Sequence, residues 1–216
     1  MQVIHSRSAT FNSTDNGGLA LGERADASPP TPLVARRTSA IDPTLAVDVS
    51  GPAHGHAVVM LQDPDADSGF TDAVRARLHV ALLRTVVITA HRRPQAELIL
   101  NNLRRLGISW SLLIAHRGLG PLAWTMAARH RERFSGLIVV DCGHPRVADA
   151  AGTVVDPHCP PVVADTTALV SDNTDITVAR ASGQYVHGQF RLAKLAKRTD
   201  DRVAQLVTEI VLHTHS

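Results

Sequence analysis

From Pro43 onward, short apolar runs alternate with stretches in which apolar residues recur every three or four positions. The runs Thr44–Val49, Ala57–Leu61, Thr85–Thr89, Ser111–Ala115, Gly136–Asp141, Thr166–Ser171 and Gln189–Ala193 are β-branched or Leu-rich, and several are apolar at successive positions. A strand that is apolar on both faces belongs in a sheet covered on both sides, the usual setting of parallel strands. The intervening stretches have helical spacing. In Thr71–Leu83, Val74, Leu78, Ala81 and Leu82 share one face, and in Asp200–His213 the stripe is Val203, Leu206, Val207 and Ile210. Pro94–Leu106 opens on a proline suited to a first helical turn and closes before Gly107. Leu122–Arg133 and Ile176–Tyr185 complete the set. This alternation predicts an α/β domain, a three-layer sandwich with a mainly parallel sheet.

Residues 1–42 have no such periodicity and are rich in Ser, Thr, Asp, Asn, Gly and Pro, including Pro29-Pro30 and Pro32. They are expected to form a disordered or loosely attached leader, with residues 43–216 as a single domain. Composition agrees with one globular domain, since 44% of the 216 residues are hydrophobic and 19% are charged. Twenty-two basic residues against 20 acidic ones leave a net charge of +2, too balanced for a nucleic-acid footprint. The two cysteines, Cys142 and Cys159, cannot make a zinc quartet and suit free thiols in a reducing compartment. No apolar run approaches the roughly 18–20 residues of a membrane span, and Met1–Ala20 lacks the apolar segment of a secretory signal. The expectation is a cytoplasmic protein with no membrane or nucleic-acid partner. Its edge strands could pair two copies into a homodimer.

The stretch with the most chemistry in it is Ser111-Leu-Leu-Ile-Ala-His-Arg-Gly-Leu-Gly120, which reads as a buried strand, a sharp turn and the start of a helix. Together with the ordered segments Thr44–Pro52, Ala57–Leu61, Val86–Ile88 followed by His91–Pro94, Ser111–Ala128, Gly136–Asp141 and Thr166–Asp175, it resembles the α/β-hydrolase superfamily over most of residues 43–213. The resemblance implies that fold. The short interval between Asp141 and Thr166 implies that no cap domain is present. It also implies a place for each catalytic group: nucleophile, base, acid and two oxyanion-binding N–H groups.

On that resemblance, the nucleophile position falls on Arg117, where the family's elbow usually has G-x-S-x-G. A guanidinium stays protonated and cannot attack a carbonyl carbon. Ala115 fits the small residue wanted two places earlier, while Leu119 departs from it two places later; Gly118 and Gly120 keep the turn pliant. The oxyanion loop reads Gln62-Asp63-Pro64, where Pro64 has no N–H to give and Asp63 would oppose a developing oxyanion. The acid position falls on Asp175, which reads equally as the N-cap of Ile176–Tyr185. The base should follow the last strand, yet Lys194–Asp200 holds no histidine; His187 lies before that strand, at the wrong end of the sheet. His116 is placed to orient the turn.

These departures predict a catalytically degenerate protein that binds a small ligand or a protein at the carboxyl ends of the strands. Arg117, Gln62, Asp63, Pro64, His116, Gly118 and His144 would line that site. Two alternatives stand beside it. One is a hydrolase with a non-standard site. The other is a dinucleotide-binding protein using Gly118-Leu119-Gly120, with Asp141 as the ribose-binding acid. Asp63, Asp65 and Asp67 alternate as in a calcium loop, but Ser68 and Val74 stand where the glycine and final glutamate would be. No metal and no cofactor are expected. Trp110 and Trp124 are expected to pack in the core.

Overall fold

The computed structural model describes residues 37–42, 45–90, 94–149, 151–171 and 173–215; of 37–42 and 173–175 it describes the backbone alone. The strands are β1 (Arg37–Asp42), β2 (Leu45–Ser50), β3 (Ala57–Gln62), β4 (Arg84–Ala90), β5 (Ser111–His116), β6 (Phe134–Val140), β7 (Asp165–Val170) and β8 (Phe190–Lys194). The helices are α1 (Ser68–Val80), α2 (Ala96–Arg105), α3 (Gly120–Arg129), α4 (Asn173–Ser182) and α5 (Thr199–Thr214). All eight strands join one sheet in the order β1-β2-β4-β3-β5-β6-β7-β8. β1 and β2 pair antiparallel at one edge, and the strands from β4 to β8 run parallel.

Alternation along each strand divides the apolar residues between two cores. Val59, Leu61, Leu113, Ala115, Leu137 and Val139 meet α2, α3 and α4 through Leu103, Trp124 and Ala179. Their neighbours Val58, Met60, Leu112, Ile114, Ile138 and Val140 meet α1 and α5 through Val74, Leu78, Leu206 and Ile210. The two-sided apolar runs in the sequence are therefore strands with a core on each face, as parallel strands require. The described residues between β6 and β7 form no helix, so no cap covers the sheet there. No helix among the described residues is long and apolar enough to cross a membrane.

Three expectations are corrected. β1 lies inside the stretch expected to be a leader and pairs with β2, so regular structure begins ahead of residue 43. α1 starts three residues before Thr71, because the Asp67 carboxylate accepts from Gly69 N–H and Phe70 N–H and caps the helix there. Trp110 is 49% exposed at the entry to β5, whereas Trp124 is fully buried.

One buried polar network crosses from α1 to the sheet. Arg75 forms an ion pair with Asp48 at 2.9 Å and donates to the Ser50 hydroxyl through both Nε and Nη2. With its oxygen accepting twice, the Ser50 hydroxyl sends its proton onward to His79 Nε2 or Thr85 Oγ1, at 3.3 and 3.1 Å. Burial first, then the Arg75 charge, holds the His79 pKa below the usual histidine value.

The same direction recurs elsewhere. Burial is the leading cause that lowers the pKa of His56, His116, His144 and His213 as well. These histidines fold neutral and take up protons more readily when unfolded. Their stabilisation is thus complete above the unfolded histidine value of about 6.5 and is lost as pH falls below it. Thermal unfolding at pH 7.5, 6.5 and 5.5 is expected to give a Tm that drops on the acid side. A Tm that rises or holds level over this range would contradict the lowered pKa of these five histidines.

Candidate functional site

The chain leaves β3 to build β4 on one side and later β5 on the other, so the order reverses between β3 and β5. In an open parallel sheet such a switch point opens a crevice beyond the carboxyl ends of the strands. A cavity of about 240 Å³ lies there. Met60, Ile114, Val140, Leu169 and Leu206 contribute apolar walls, and Gln62, Asp63, His116, Thr199 and Arg202 contribute polar ones.

Beside it, β5 ends in a tight turn. Arg117 has φ of +40°, a left-handed conformation that a residue with a Cβ adopts only where the surroundings enforce it. The strand, a short 3-10 turn over Arg117–Leu119 and helix α3 follow without a break. Two glycines allow the turn to pack. A Cβ on Gly118 would stand 3.3 Å from Asp63 Oδ2, so the Asp63 carboxylate rests against this backbone. A Cβ on Gly120 would stand 2.1 Å from Cys142 Sγ. Gly120→Ala is therefore expected to force β6 and α3 apart and to cost about 1–3 kcal/mol, the usual range for overpacking. Urea unfolding checks this; an unchanged midpoint would mean that Cys142 moves away freely.

The electrostatics of the turn centre on Asp141, the first residue after β6, whose side chain is 5% exposed. Asp141 Oδ1 accepts from Ser171 N–H at 2.6 Å, and the Ser171 hydroxyl lies 2.7 Å from both carboxylate oxygens. Arg117 Nη2 stands 3.6 Å from Oδ2, and His116 Nε2 stands 3.8 Å from it. The His116 pKa is lowered, by burial first and then by the Arg117 charge, against the opposing pull of Asp141 and Asp63. At neutral pH the cluster holds a neutral imidazole between two carboxylates, with the Arg117 guanidinium at its exposed edge.

The expected site residues are not all gathered here. Gln62 lines the cavity, but its amide donates to Thr89 Oγ1 and accepts from Thr71 Oγ1. Asp63 also lines it, and Pro64 sits in the turn closed by Ala66 N–H donating to the Asp63 carbonyl. His116 reaches the cavity wall, and Gly118 and Arg117 form the turn beside it.

His144 is a correction. It is buried, edge-on to Trp124 and stacked on Tyr185. Its Nδ1 accepts from Arg146 N–H, leaving Nε2 to donate to the Pro160 carbonyl, so both ring nitrogens are engaged in holding the loop after β6. His187 is exposed ahead of β8, at the end of the sheet opposite the crevice. Asp175 lies inside the first turn of α4, so it is not that helix's N-cap; its side chain lies outside the described residues. The loop His91–Arg93 lies outside them too.

Two features were not anticipated. Asp141, the ribose-binding acid of the dinucleotide alternative, is instead committed to Ser171 through its carboxylate. Arg202 went unnoticed, although Thr199, Arg202 and Leu206 at helical spacing share one face of α5 and all line the cavity. The dinucleotide alternative fares poorly in this geometry. The Asp63 carboxylate lies at the head of α3, where a pyrophosphate would have to sit, and Pro121 removes a donor from that helix start. Among the described residues, no group of three or more His, Cys, Asp or Glu is arranged to hold a metal ion.

Comparison with known proteins agrees with the architecture. No family model matches the chain. A 53-residue stretch is 43% identical to epoxide hydrolase 3 of Xenopus tropicalis, spanning 23% of this chain and only 14% of that protein. Among solved structures, the enol-lactonase of Burkholderia xenovorans superposes with a TM-score of 0.63 at 14% identity, over 83% of this chain and all (100%) of that one. Est1E of Butyrivibrio proteoclasticus gives 0.62 at 9% identity, over 84% and 99% of the two chains. A loop variant of a haloalkane dehalogenase of Bradyrhizobium elkanii gives 0.61 at 11% identity, over 84% and 98%. Similarity at this level of identity concerns the fold: the domain has the α/β-hydrolase fold.

Proposed function

Proceeding from that fold, we propose that this protein is catalytically degenerate and uses the crevice at the β3–β5 switch point to bind a small ligand. The observation that carries the reading is Arg117 in the left-handed turn between β5 and α3, the position that a nucleophile takes in α/β-hydrolases. Its guanidinium cannot serve as a nucleophile. The surroundings support the same reading. Asp63 brings a negative charge against Gly118, Pro64 has no N–H, and no histidine follows β8 before α5. Acyl transfer needs a nucleophile, a base and oxyanion donors together. A reactive phosphonate ester that traps activated serines is expected to leave the protein at its unmodified mass. Stoichiometric labelling would overturn the reading.

A second reading has one observation in its favour. His116 is neutral and lies 3.8 Å from Asp141 on the cavity wall, where an imidazole could activate a water molecule. It predicts ester hydrolysis that is lost in His116→Gln, whereas the degenerate reading predicts no hydrolysis to lose.

A further inference from the structure

Resting on the ligand-binding reading above, we propose that the crevice takes a small carboxylate carried on a short aliphatic chain, with the carboxylate paired to Arg202 and the chain on the apolar floor. The polar groups around the cavity differ in what they have left to offer. Asp67 is spent on capping α1, through Gly69 N–H and Phe70 N–H. Gln62 and Thr71 bond each other, and Gln62 also bonds Thr89. Asp63 rests against Gly118.

Arg202 is different. Its Nε donates to the Ala196 carbonyl at 2.7 Å, which fixes the guanidinium in the wall. Among the described residues no carboxylate stands within ion-pair distance of it. Its charge is felt at His116 across the cavity, where it helps to keep the imidazole neutral. A half-buried guanidinium held at one nitrogen, with its outer nitrogens uncommitted, presents the planar fork that matches a carboxylate.

The rest of the cavity defines the body of the ligand. Met60, Phe70, Ile114, Val140, Leu195 and Leu206 give it apolar walls. Burying methylene groups there adds to the affinity of a ligand that carries them. The volume of about 240 Å³ falls below the roughly 300–1,000 Å³ of sites for drug-sized ligands, which limits the chain to a short one. A doubly charged head is less suited, since Asp63 shares the wall and Arg202 is the uncommitted cation.

Titration calorimetry of the whole protein with hexanoate, hexanamide and butyl phosphate tests this. Hexanoate is expected to bind saturably, and hexanamide about 10- to 100-fold more weakly, the usual value of a charge-assisted pair. Arg202→Gln is expected to lower hexanoate affinity by a similar factor and to leave hexanamide unchanged, with thermal unfolding used to verify that the variant folds. Arg202→Lys, which keeps the charge without the fork, should fall between the two. Equal affinity for hexanoate and hexanamide, no saturation with hexanoate, or a folded Arg202→Gln that binds like the wild type would each overturn the inference. Tighter binding of butyl phosphate would replace the carboxylate with a phosphate ester. Failure here is distinguishable from failure of the degenerate reading. A protein that neither binds hexanoate nor hydrolyses esters loses only this inference, and one that hydrolyses esters loses the other, whatever hexanoate does.

Discussion

Arg75→Met is expected to cost about 3–5 kcal/mol of folding stability, the usual penalty for removing one partner of a buried ion pair. In a domain of this size that corresponds to a fall in Tm on the order of 10 °C. The reason lies in what the guanidinium serves. Arg75 is 7% exposed and is the cation beside Asp48 at 2.9 Å. It also fills both acceptor sites of Ser50, which is 2% exposed. Methionine restores most of the volume but none of the donors, so the part-buried Asp48 carboxylate loses the Arg75 charge and the buried Ser50 hydroxyl loses the bonds it accepted from Arg75. The double variant Arg75→Met/Asp48→Leu should be more stable than the single one, because the carboxylate that lost the Arg75 charge is then gone as well. Urea unfolding of the three proteins checks this. If the single variant matches the wild type, solvent reaches Asp48 and the network does not hold α1 to the sheet.

The parallel sheet was legible because its strands carry apolar residues on both faces, a pattern that few other settings explain. Helix starts were less so. The start of α1 depends on whether Asp67 turns its carboxylate back onto two N–H groups, which apolar periodicity does not encode. β1 is hard to read from the sequence because Arg37-Thr-Ser-Ala-Ile-Asp42 carries only two apolar residues; among the described residues it is an edge strand, paired on one side only. In the site, the turn at Arg117 was readable from its place between an apolar strand and a helix start. His144 was not. It follows β6 as a crevice residue would, but its ring turns between Trp124 and Tyr185 and spends both nitrogens on the backbone. Arg202 was obscured for a related reason: its helix was read for its apolar stripe, and a guanidinium on the margin of that stripe looks solvated until the crevice is seen.

Arg117→Ser is expected to create a serine at the turn and no hydrolase. A serine hydroxyl there would still need a base to take its proton, a contribution of about 10²–10⁴-fold. His116 is the last residue of the strand, immediately before Arg117, and its Nε2 faces Asp141 at 3.8 Å, while His187 is at the other end of the sheet. The oxyanion would meet Asp63 where donors are needed, and removal of even one such donor costs about 10²–10³-fold. The missing factors multiply, so restoring one group recovers nothing measurable.

The direct measurement is the hydrolysis of short and medium acyl esters by the wild type and by Arg117→Ser, side by side and at equal concentration. Both are expected to stay within about tenfold of the buffer rate, because a degenerate site lacks a base and oxyanion donors as well as the nucleophile. Turnover by the wild type, or a clear gain in Arg117→Ser, would contradict it: the first by revealing a working site, the second by showing that only the nucleophile had been lost.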